Sequence, residues 1–131
     1  MEQRRQRILV IDDEKEILDI YGFFLGRMFD TTLTDNVNDA CTEMRRALQQ
    51  GPRYDAVIVD RKINGDDGDV WVKKMREWGY DRPILMVSSA NRPDDAYPLN
   101  GEDAPSGQNY FFLDKPPRFR DLDRYLGQMV R

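Results

Sequence analysis

The fold is decided by residues 54–68, which read YDAVIVDRKINGDDG. Residues 56–59 form an apolar, mostly β-branched run without a polar interruption, and the run stops at Asp60. Such a run predicts a parallel strand that is buried on both faces. The Asn, Asp and Gly residues that follow predict a turn. Asp60 is therefore expected at the carboxyl end of a central parallel strand, where open α/β sheets bind ligands.

Strand and helix patterns alternate on both sides of this stretch. Further strands are predicted at 7–11, 30–34, 84–88 and 110–113, and helices at 17–28, 37–48, 69–79 and from about 117 onward. This order predicts parallel strands joined by crossover helices, with the Thr-rich second strand at a sheet edge. We find no internal repeat or linker, so residues 1–131 are expected to form a single α/β domain.

The helical patterns also predict which side chains are buried. The first helix is expected to bury one apolar face, made of Ile17, Ile20, Tyr21, Phe24, Leu25 and Met28. Asn36 or Asn38 is expected to cap the second helix. The third helix is expected to bury Trp71, Val72 and Met75.

Residues 89–109 interrupt the alternation. They contain three prolines, two glycines and few large apolar side chains. Because proline removes a backbone donor and clashes within a helix, a full amphipathic helix cannot run through this segment. We expect a short helical turn or a loop where a fourth crossover helix would lie.

Composition excludes several classes of function. The formal net charge of −4 argues against general nucleic-acid binding, which depends on clustered Lys and Arg. No apolar segment is long enough for a signal peptide or a membrane span, so a cytoplasmic protein is expected.

Cys41 is the single cysteine and permits no internal disulfide. The chain has no histidine, so Ser-His and Cys-His triads are excluded, and histidine-phosphate chemistry would need a second protein.

Polar side chains follow four of the predicted strands at one rim of the sheet: Asp12 and Asp13, Asp60, Ser88 and Lys115. Carboxylates gathered there would repel one another, by roughly 4 kcal/mol for two charges about 4 Å apart at an effective dielectric of 20. A set of oxygen ligands favours Mg²⁺. Lys115 adds a positive charge suited to a phosphoryl oxygen, and Ser88 a small donor. These groups suit phosphoryl transfer, with Asp60 as nucleophile forming an aspartyl phosphate.

Four motifs carry a resemblance to a known family. IDDE at 11–14, VIVD at 57–60, MVSS at 86–89 and DKP at 114–116 resemble the signatures of response-regulator receiver domains in two-component signalling. The resemblance covers nearly the whole chain, and the motifs occur in the family's order. It implies a flavodoxin-like, doubly wound five-stranded parallel sheet with strand order 2-1-3-4-5.

The resemblance also implies roles for individual residues. Asp60 would accept a phosphoryl group from the phosphohistidine of a sensor histidine kinase or a histidine phosphotransfer protein. Asp13, Asp60 and the backbone carbonyl of Lys62 would bind Mg²⁺, with Asp12 helping through water. Ser88 and Lys115 would bind the phosphoryl oxygens.

Switching and output are implied as well. Phe112 matches the family's aromatic switch position, with Ser88 as its partner in switching. A downstream effector protein or domain would read the switch, and the chain itself would contact neither nucleic acid nor membrane. The resemblance implies a signalling domain rather than an enzyme, although one with slow phosphotransfer and hydrolysis chemistry of its own.

The sequence departs from the family pattern at three places. Asn64 stands where the family usually has proline, which is expected to loosen the loop after the acceptor. The Lys62 side chain places a second cation beside the site and is expected to affect dephosphorylation. Residues 89–109 lack the family's fourth helix, which belongs to the usual output face. Asp66, Asp67 and Asp69 are interpreted as a solvated turn.

Two alternatives remain open at this point. A degenerate receiver would keep the fold and bind a partner without phosphorylation, as the altered segment 89–109 favours. A Mg²⁺-dependent hydrolase with an aspartyl nucleophile would need Asp-x-Asp at the nucleophile strand, whereas this chain has Asp60, Arg61 and Lys62.

Overall fold

A five-stranded parallel sheet forms the centre of the molecule in a computed structural model that describes residues 5–88 and 110–114. At 66, 88 and 110–114 the description covers the backbone only. The strands are β1 Arg7–Ile11, β2 Asp30–Thr34, β3 Ala56–Asp60, β4 Lys62–Ile63, β5 Asp66–Asp67, β6 Ile84–Ser88 and β7 Tyr110–Asp114. The helices are α1 Lys15–Leu25, α2 Val37–Gln50 and α3 Gly68–Glu77.

The sheet order confirms the predicted doubly wound topology. The five long strands lie in the order β2-β1-β3-β6-β7, and every neighbouring pair is parallel. In chain order these are the strands 2-1-3-4-5 of the flavodoxin-like arrangement. The Thr-rich β2 is an edge strand, as expected, and β3 occupies the middle of the sheet.

Alternate side chains of the central strands enter two apolar layers. Leu9 and Val57 lie in the layer formed with α2 and α3. Ile8, Val10 and Ile58 lie in the opposite layer, which α1 covers. Because both faces of β1, β3 and β6 are covered, these strands read as continuous apolar runs rather than as alternating ones.

The buried face of α1 was predicted only in part. Tyr21 and Leu25 are buried, but the third buried side chain of the helix is Leu18, which the prediction omitted. Ile20 is 40% exposed and Met28, beyond the end of the helix, is 43% exposed. The apolar residues of α1 lie around most of its circumference, so their spacing is compatible with more than one buried face. Packing against the sheet determines that the buried face is the one at 18, 21 and 25.

The predictions for the second and third helices are confirmed. Asn36 caps α2, because its side-chain oxygen accepts a hydrogen bond of 2.8 Å from the Asp39 N–H. The expected side chains of α3 are buried: Trp71, Val72 and Met75. Asp67 caps α3, with its side chain accepting a hydrogen bond from the Asp69 N–H.

The segment after β3 is a β-hairpin rather than the predicted solvated turn. Lys62 pairs with Asp67 and Ile63 with Asp66 in two short antiparallel strands. Asn64 and Gly65 connect them with φ angles of 54° and 85°. Two positive φ values at an Asn-Gly pair are typical of a type I′ turn, whose twist matches that of the flanking strands. We call residues 62–67 the β4–β5 hairpin.

Three expectations fall outside the described residues: the course of 89–109, the position of Lys115, and the last helix from about 117. Among the helices in the described part of the chain, none has the length and apolar character needed to cross a membrane.

Candidate functional site

Asp12 and Asp60 lie at the carboxyl ends of two neighbouring strands. Asp60 is the last residue of β3, and Asp12 directly follows β1. The backbone register pairs Ile11 with Val59, so the two aspartates sit side by side at one edge of the sheet. Asp12 is 1% exposed and Asp60 is 6% exposed. Burying two carboxylates this fully is costly unless opposite charge or hydrogen bonds compensate, and a bound cation would supply such charge.

Asp13 and Glu14 complete an acidic group at this edge. One carboxylate oxygen from each of Asp12, Asp13, Glu14 and Asp60 lies within 4.8 Å of the others. Asp12 accepts a hydrogen bond of 2.8 Å from the Glu14 N–H, which fixes the backbone where α1 begins. Asp13 and Glu14 are more accessible than the two buried aspartates, so the group opens to solvent on their side.

The β4–β5 hairpin contacts the acidic group at Asp13. The Asn64 backbone N–H donates a hydrogen bond of 2.7 Å to Asp13 Oδ2. The Asn64 side chain donates a longer one, of 3.4 Å, to the Asp35 carbonyl oxygen. The expectation that Asn64 loosens this loop is therefore wrong, because an Asn-Gly pair can adopt the I′ turn and keep a backbone donor, which proline cannot do.

Gly68 allows the chain to pass close to the end of β3. Its N–H donates to the Arg61 carbonyl oxygen. A Cβ atom at this position would collide with the carbonyl oxygen of Asp60 and press on Arg61. The glycine is thus required by close packing of backbone against backbone, and a side chain here would displace the end of β3.

The acidic group fits a Mg²⁺ ion by its chemistry. All of its ligand atoms are carboxylate oxygens, which a hard divalent cation prefers. Ligands of Mg²⁺ lie 2.0–2.1 Å from the ion, so two of them are at most about 4.2 Å apart. Oxygens within 4.8 Å of one another need only small side-chain movements to reach that spacing. The residues that could hold the ion are Asp12, Asp13, Asp60 and the accessible Glu14.

Tyr21 reaches this region from α1. Ile8 and Val10, and likewise Ala56 and Ile58, face the layer that contains Tyr21. The alternation of β1 and β3 continues to Asp12 and Asp60, which places both carboxylates toward the same layer. Burial raises the pKa of the Tyr21 phenol well above its ordinary value, and the charges of Asp12 and Asp60 raise it further. Tyr21 is therefore held in its neutral form beside the acidic group.

The structure brings together three of the predicted site residues, Asp12, Asp13 and Asp60. Lys62 lies two residues after Asp60 with an exposed side chain, and its N–H makes a long hydrogen bond of 3.4 Å to Asp60 Oδ1. The role of its carbonyl stays a prediction.

The remaining predicted residues are placed by backbone alone or not at all. Ser88 ends β6, one residue beyond Val87, which pairs with Asp60. Phe112 lies in β7 opposite Met86. Their side chains and the whole of Lys115 are outside the described residues, so their roles stay predictions.

Two residues of the site were missed from the sequence. Glu14 belongs to the quoted IDDE motif but was not considered as a ligand. Asn64 was treated as a departure that loosens a loop, although an Asn-Gly pair between extended residues is a strong hairpin signal. The bond from Asn64 to Asp13 spans 51 residues and has no local signature in the sequence.

Comparisons with known proteins agree with this architecture. The sequence profile of the response regulator receiver domain matches residues 8–124. No curated protein matches the chain. Many solved structures match. The two described next are less than 25% identical to this chain, so they show the fold alone.

Two of these structures illustrate the likeness. A CheY-like receiver domain from Methylobacillus flagellatus is 22% identical, with a TM-score of 0.74 over 96% of this chain and 99% of that one. The BeF₃-activated N-terminal receiver domain of Klebsiella pneumoniae RstA is 18% identical, with a TM-score of 0.76 over 96% and 99% of the two chains. With the family profile covering most of its length, the chain belongs to the response regulator receiver domain family.

Proposed function

We propose that residues 1–131 form a receiver domain that accepts a phosphoryl group on Asp60 with the help of Mg²⁺. One observation carries the proposal: the carboxylate of Asp60, at the end of the central strand, lies within 4.8 Å of those of Asp12 and Asp13. A structural role alone would not gather these charges at a buried edge. Clustered carboxylates at the carboxyl ends of strands are typical of ligand-binding sites in open α/β sheets.

The proposed reaction is an in-line transfer. A carboxylate oxygen of Asp60 attacks the phosphorus atom of a phosphohistidine, and the bond from phosphorus to the imidazole nitrogen breaks as the aspartyl P–O bond forms. The imidazole leaves with the electron pair. Mg²⁺, when bound, supplies positive charge that offsets the phosphoryl and carboxylate charges. Asp12 and Asp13 would hold that charge next to Asp60, and the burial of Asp60 limits the access of bulk water to its carboxylate.

The side chains that would complete the reaction are proposed from the family motifs. Ser88 and Lys115 bind the phosphoryl oxygens, and the carbonyl of Lys62 joins the metal ligands. Phe112 and Ser88 change position after phosphorylation and pass the change to a partner. The Lys62 side chain is exposed and follows Asp60 by two residues, and it influences the rate of dephosphorylation.

The proposed partners follow from what the chain lacks. It has no histidine, so the phosphohistidine must come from a sensor kinase or a histidine phosphotransfer protein. A downstream effector protein or domain reads the switched state. With these partners the domain would act in the cytoplasm as part of a two-component phosphorelay. Its role there would be that of a signalling module.

Intact-mass measurement tests the proposal. Wild-type protein and Asp60→Asn are incubated with acetyl phosphate and Mg²⁺, and a matched sample contains a chelator in place of the metal. We expect one phosphoryl group on the wild type with Mg²⁺, and none on Asp60→Asn or on the chelated sample. Equal phosphorylation of Asp60→Asn would contradict the choice of acceptor, and equal phosphorylation under chelation would contradict the metal requirement.

A further inference from the structure

The Asn64 N–H is held in place independently of the side chain that it contacts. Both φ angles of the turn are positive, which fixes the direction of the peptide groups at its tip. Ile63 is fully buried in the core beneath the β4–β5 hairpin. Asp67, at the other end of the hairpin, caps α3. The hairpin is thus anchored at both ends, and its tip presents a backbone donor at a defined place.

That donor meets one specific acceptor. Asn64 N lies 2.7 Å from Asp13 Oδ2, a distance typical of a hydrogen bond to an ionised carboxylate. The contact joins the β3–α3 segment to the start of α1, 51 residues away. A second contact from the same residue, to the Asp35 carbonyl, ties the tip to the region that follows β2. Asp13 therefore has a position set by the hairpin.

The proline that the family pattern has at this position could not do the same. Proline has no N–H to donate, and its ring fixes φ near −65°, whereas Asn64 has a φ of 54°. The bond to Asp13 thus depends on the residue in which this chain departs from the pattern.

We propose that the Asn64 backbone N–H is a positioning donor for Asp13, which makes the β4–β5 hairpin part of the metal site. The hydrogen bond engages Oδ2 and so restricts the rotation of the Asp13 carboxylate, which has an oxygen within 4.8 Å of those of Asp12 and Asp60. Because Asp13 is ordered before the ion arrives, less side-chain freedom is lost on binding. By reciprocity, bound Mg²⁺ stabilises the hairpin. The inference rests on the proposed function, since it takes Asp13 as a Mg²⁺ ligand.

Calorimetric titration with Mg²⁺ tests the inference on a set of matched variants. Asn64→Pro removes the donor and cannot adopt the positive φ of this position. Asn64→Gly keeps the donor and tolerates a positive φ. Asn64→Ala keeps the donor but strains the turn, so it measures the effect of strain and should bind Mg²⁺ more tightly than Asn64→Pro. We expect Asn64→Pro to bind Mg²⁺ about three- to tenfold more weakly than the wild type, the range of one hydrogen bond. We expect Asn64→Gly to stay within about twofold of the wild type.

The outcomes separate the two proposals. If the wild type binds no Mg²⁺, both the proposed metal site and the positioning role are overturned. If the wild type binds Mg²⁺ and Asn64→Pro binds it equally well or more tightly, the positioning role alone is overturned. Weaker binding by Asn64→Gly, to the level of Asn64→Pro, would assign the effect to the Asn side chain and also overturn the role of the backbone donor.

Amide hydrogen exchange gives a second test that leaves residue 64 unchanged. In the wild type the Asn64 amide is expected to exchange slowly, and more slowly with Mg²⁺. In Asp13→Ala, which loses the acceptor, its exchange is expected to be about tenfold faster. Amides of β3, such as that of Val57, serve as the internal control and stay unchanged. Equal exchange of the Asn64 amide in the two proteins would overturn the inference.

Discussion

The strand β3 and the β4–β5 hairpin are separated by one residue, yet different forces fix them. All five residues of β3 are buried, and parallel strands flank it on both sides. The hairpin has two residue pairs, and within it Ile63 is buried while Lys62, Asn64 and Gly65 are exposed. Burial determines the register of β3, whereas turn chemistry and a few hydrogen bonds determine the hairpin.

The candidate site depends on both regions. Asp60 takes its place from β3 and the core around it. Asp13 follows β1, but its side chain is held by the hairpin through Asn64. Substitutions in β3 should therefore lower the stability of the whole domain. Substitutions in the hairpin should alter the site and leave the fold in place. The predictions below test this contrast, in order of expected size.

The largest effect is expected in the middle of β3. Ile58→Ala should destabilise the domain by about 2–5 kcal/mol, because it leaves a cavity in a layer that cannot fully collapse. Urea denaturation measures the change. Val70→Ala is the matched control, since Val70 is 57% exposed and its truncation should cost no more than about 0.5 kcal/mol. Similar decreases in the free energy of unfolding for the two variants would contradict the placement of β3 in the core.

A smaller effect is expected where the hairpin meets α3. Gly68→Ala should cost about 1–3 kcal/mol, because the new methyl group overlaps the carbonyl oxygen of Asp60. The displaced end of β3 should also lower the rate of phosphorylation by acetyl phosphate more than the loss of stability accounts for. A variant as stable and as reactive as the wild type would show that the close approach is not needed.

Gly65→Ala should cost less and act locally. Its Cβ would meet no atom within 4 Å, so the penalty comes from the φ of 85° alone. We expect about 1 kcal/mol in the free energy of unfolding, since L-residues pay roughly 1–2 kcal/mol for left-handed conformations. Gly65→Asn is the control, because Asn tolerates this region better. If both substitutions cost nothing, the I′ turn does not persist in solution.

The smallest effect concerns alkaline pH and Tyr21. Its pKa is raised in the folded state, so its contribution to stability is complete below the unfolded value of about 10 and is lost as the pH rises beyond it. Urea denaturation between about pH 9 and 11.5 should show stability falling with pH, and falling less steeply in Tyr21→Phe. Tyr80, whose pKa burial also raises, should account for much of the remaining slope. An identical slope in Tyr21→Phe would contradict the burial of the phenol beside the aspartates.

The same contrast explains which features the sequence could predict. An uninterrupted apolar run indicates a strand that is buried on both faces. The strand β3, its central position in the sheet and the carboxylate at its end were therefore predicted correctly. The strand ends then brought Asp12, Asp13 and Asp60 together, because parallel strands end at a common edge. Prediction succeeded for the strands that are buried on both faces, because such strands can take only one place in the sheet.

Prediction failed where several arrangements satisfy the same pattern or where a contact is distant. Apolar residues lie around most of α1, so its buried face was predicted only in part: Tyr21 and Leu25 were correct, and Leu18 was missed. The Asn64-Gly65 hairpin was missed although its dipeptide is a strong local signal. The bond between Asn64 and Asp13 needs the tertiary fold, since only the assembled sheet brings the two residues together.

The central claim is that Asp60, rather than the neighbouring Asp12 or Asp13, carries the phosphoryl group. Borohydride reduction of the acetyl-phosphate-treated protein converts an aspartyl phosphate into homoserine, and peptide fragmentation by mass spectrometry locates it. The account predicts homoserine at position 60 in the Mg²⁺-treated sample only. Homoserine at position 12 or 13, or its absence from a sample that has gained a phosphoryl group, would contradict it.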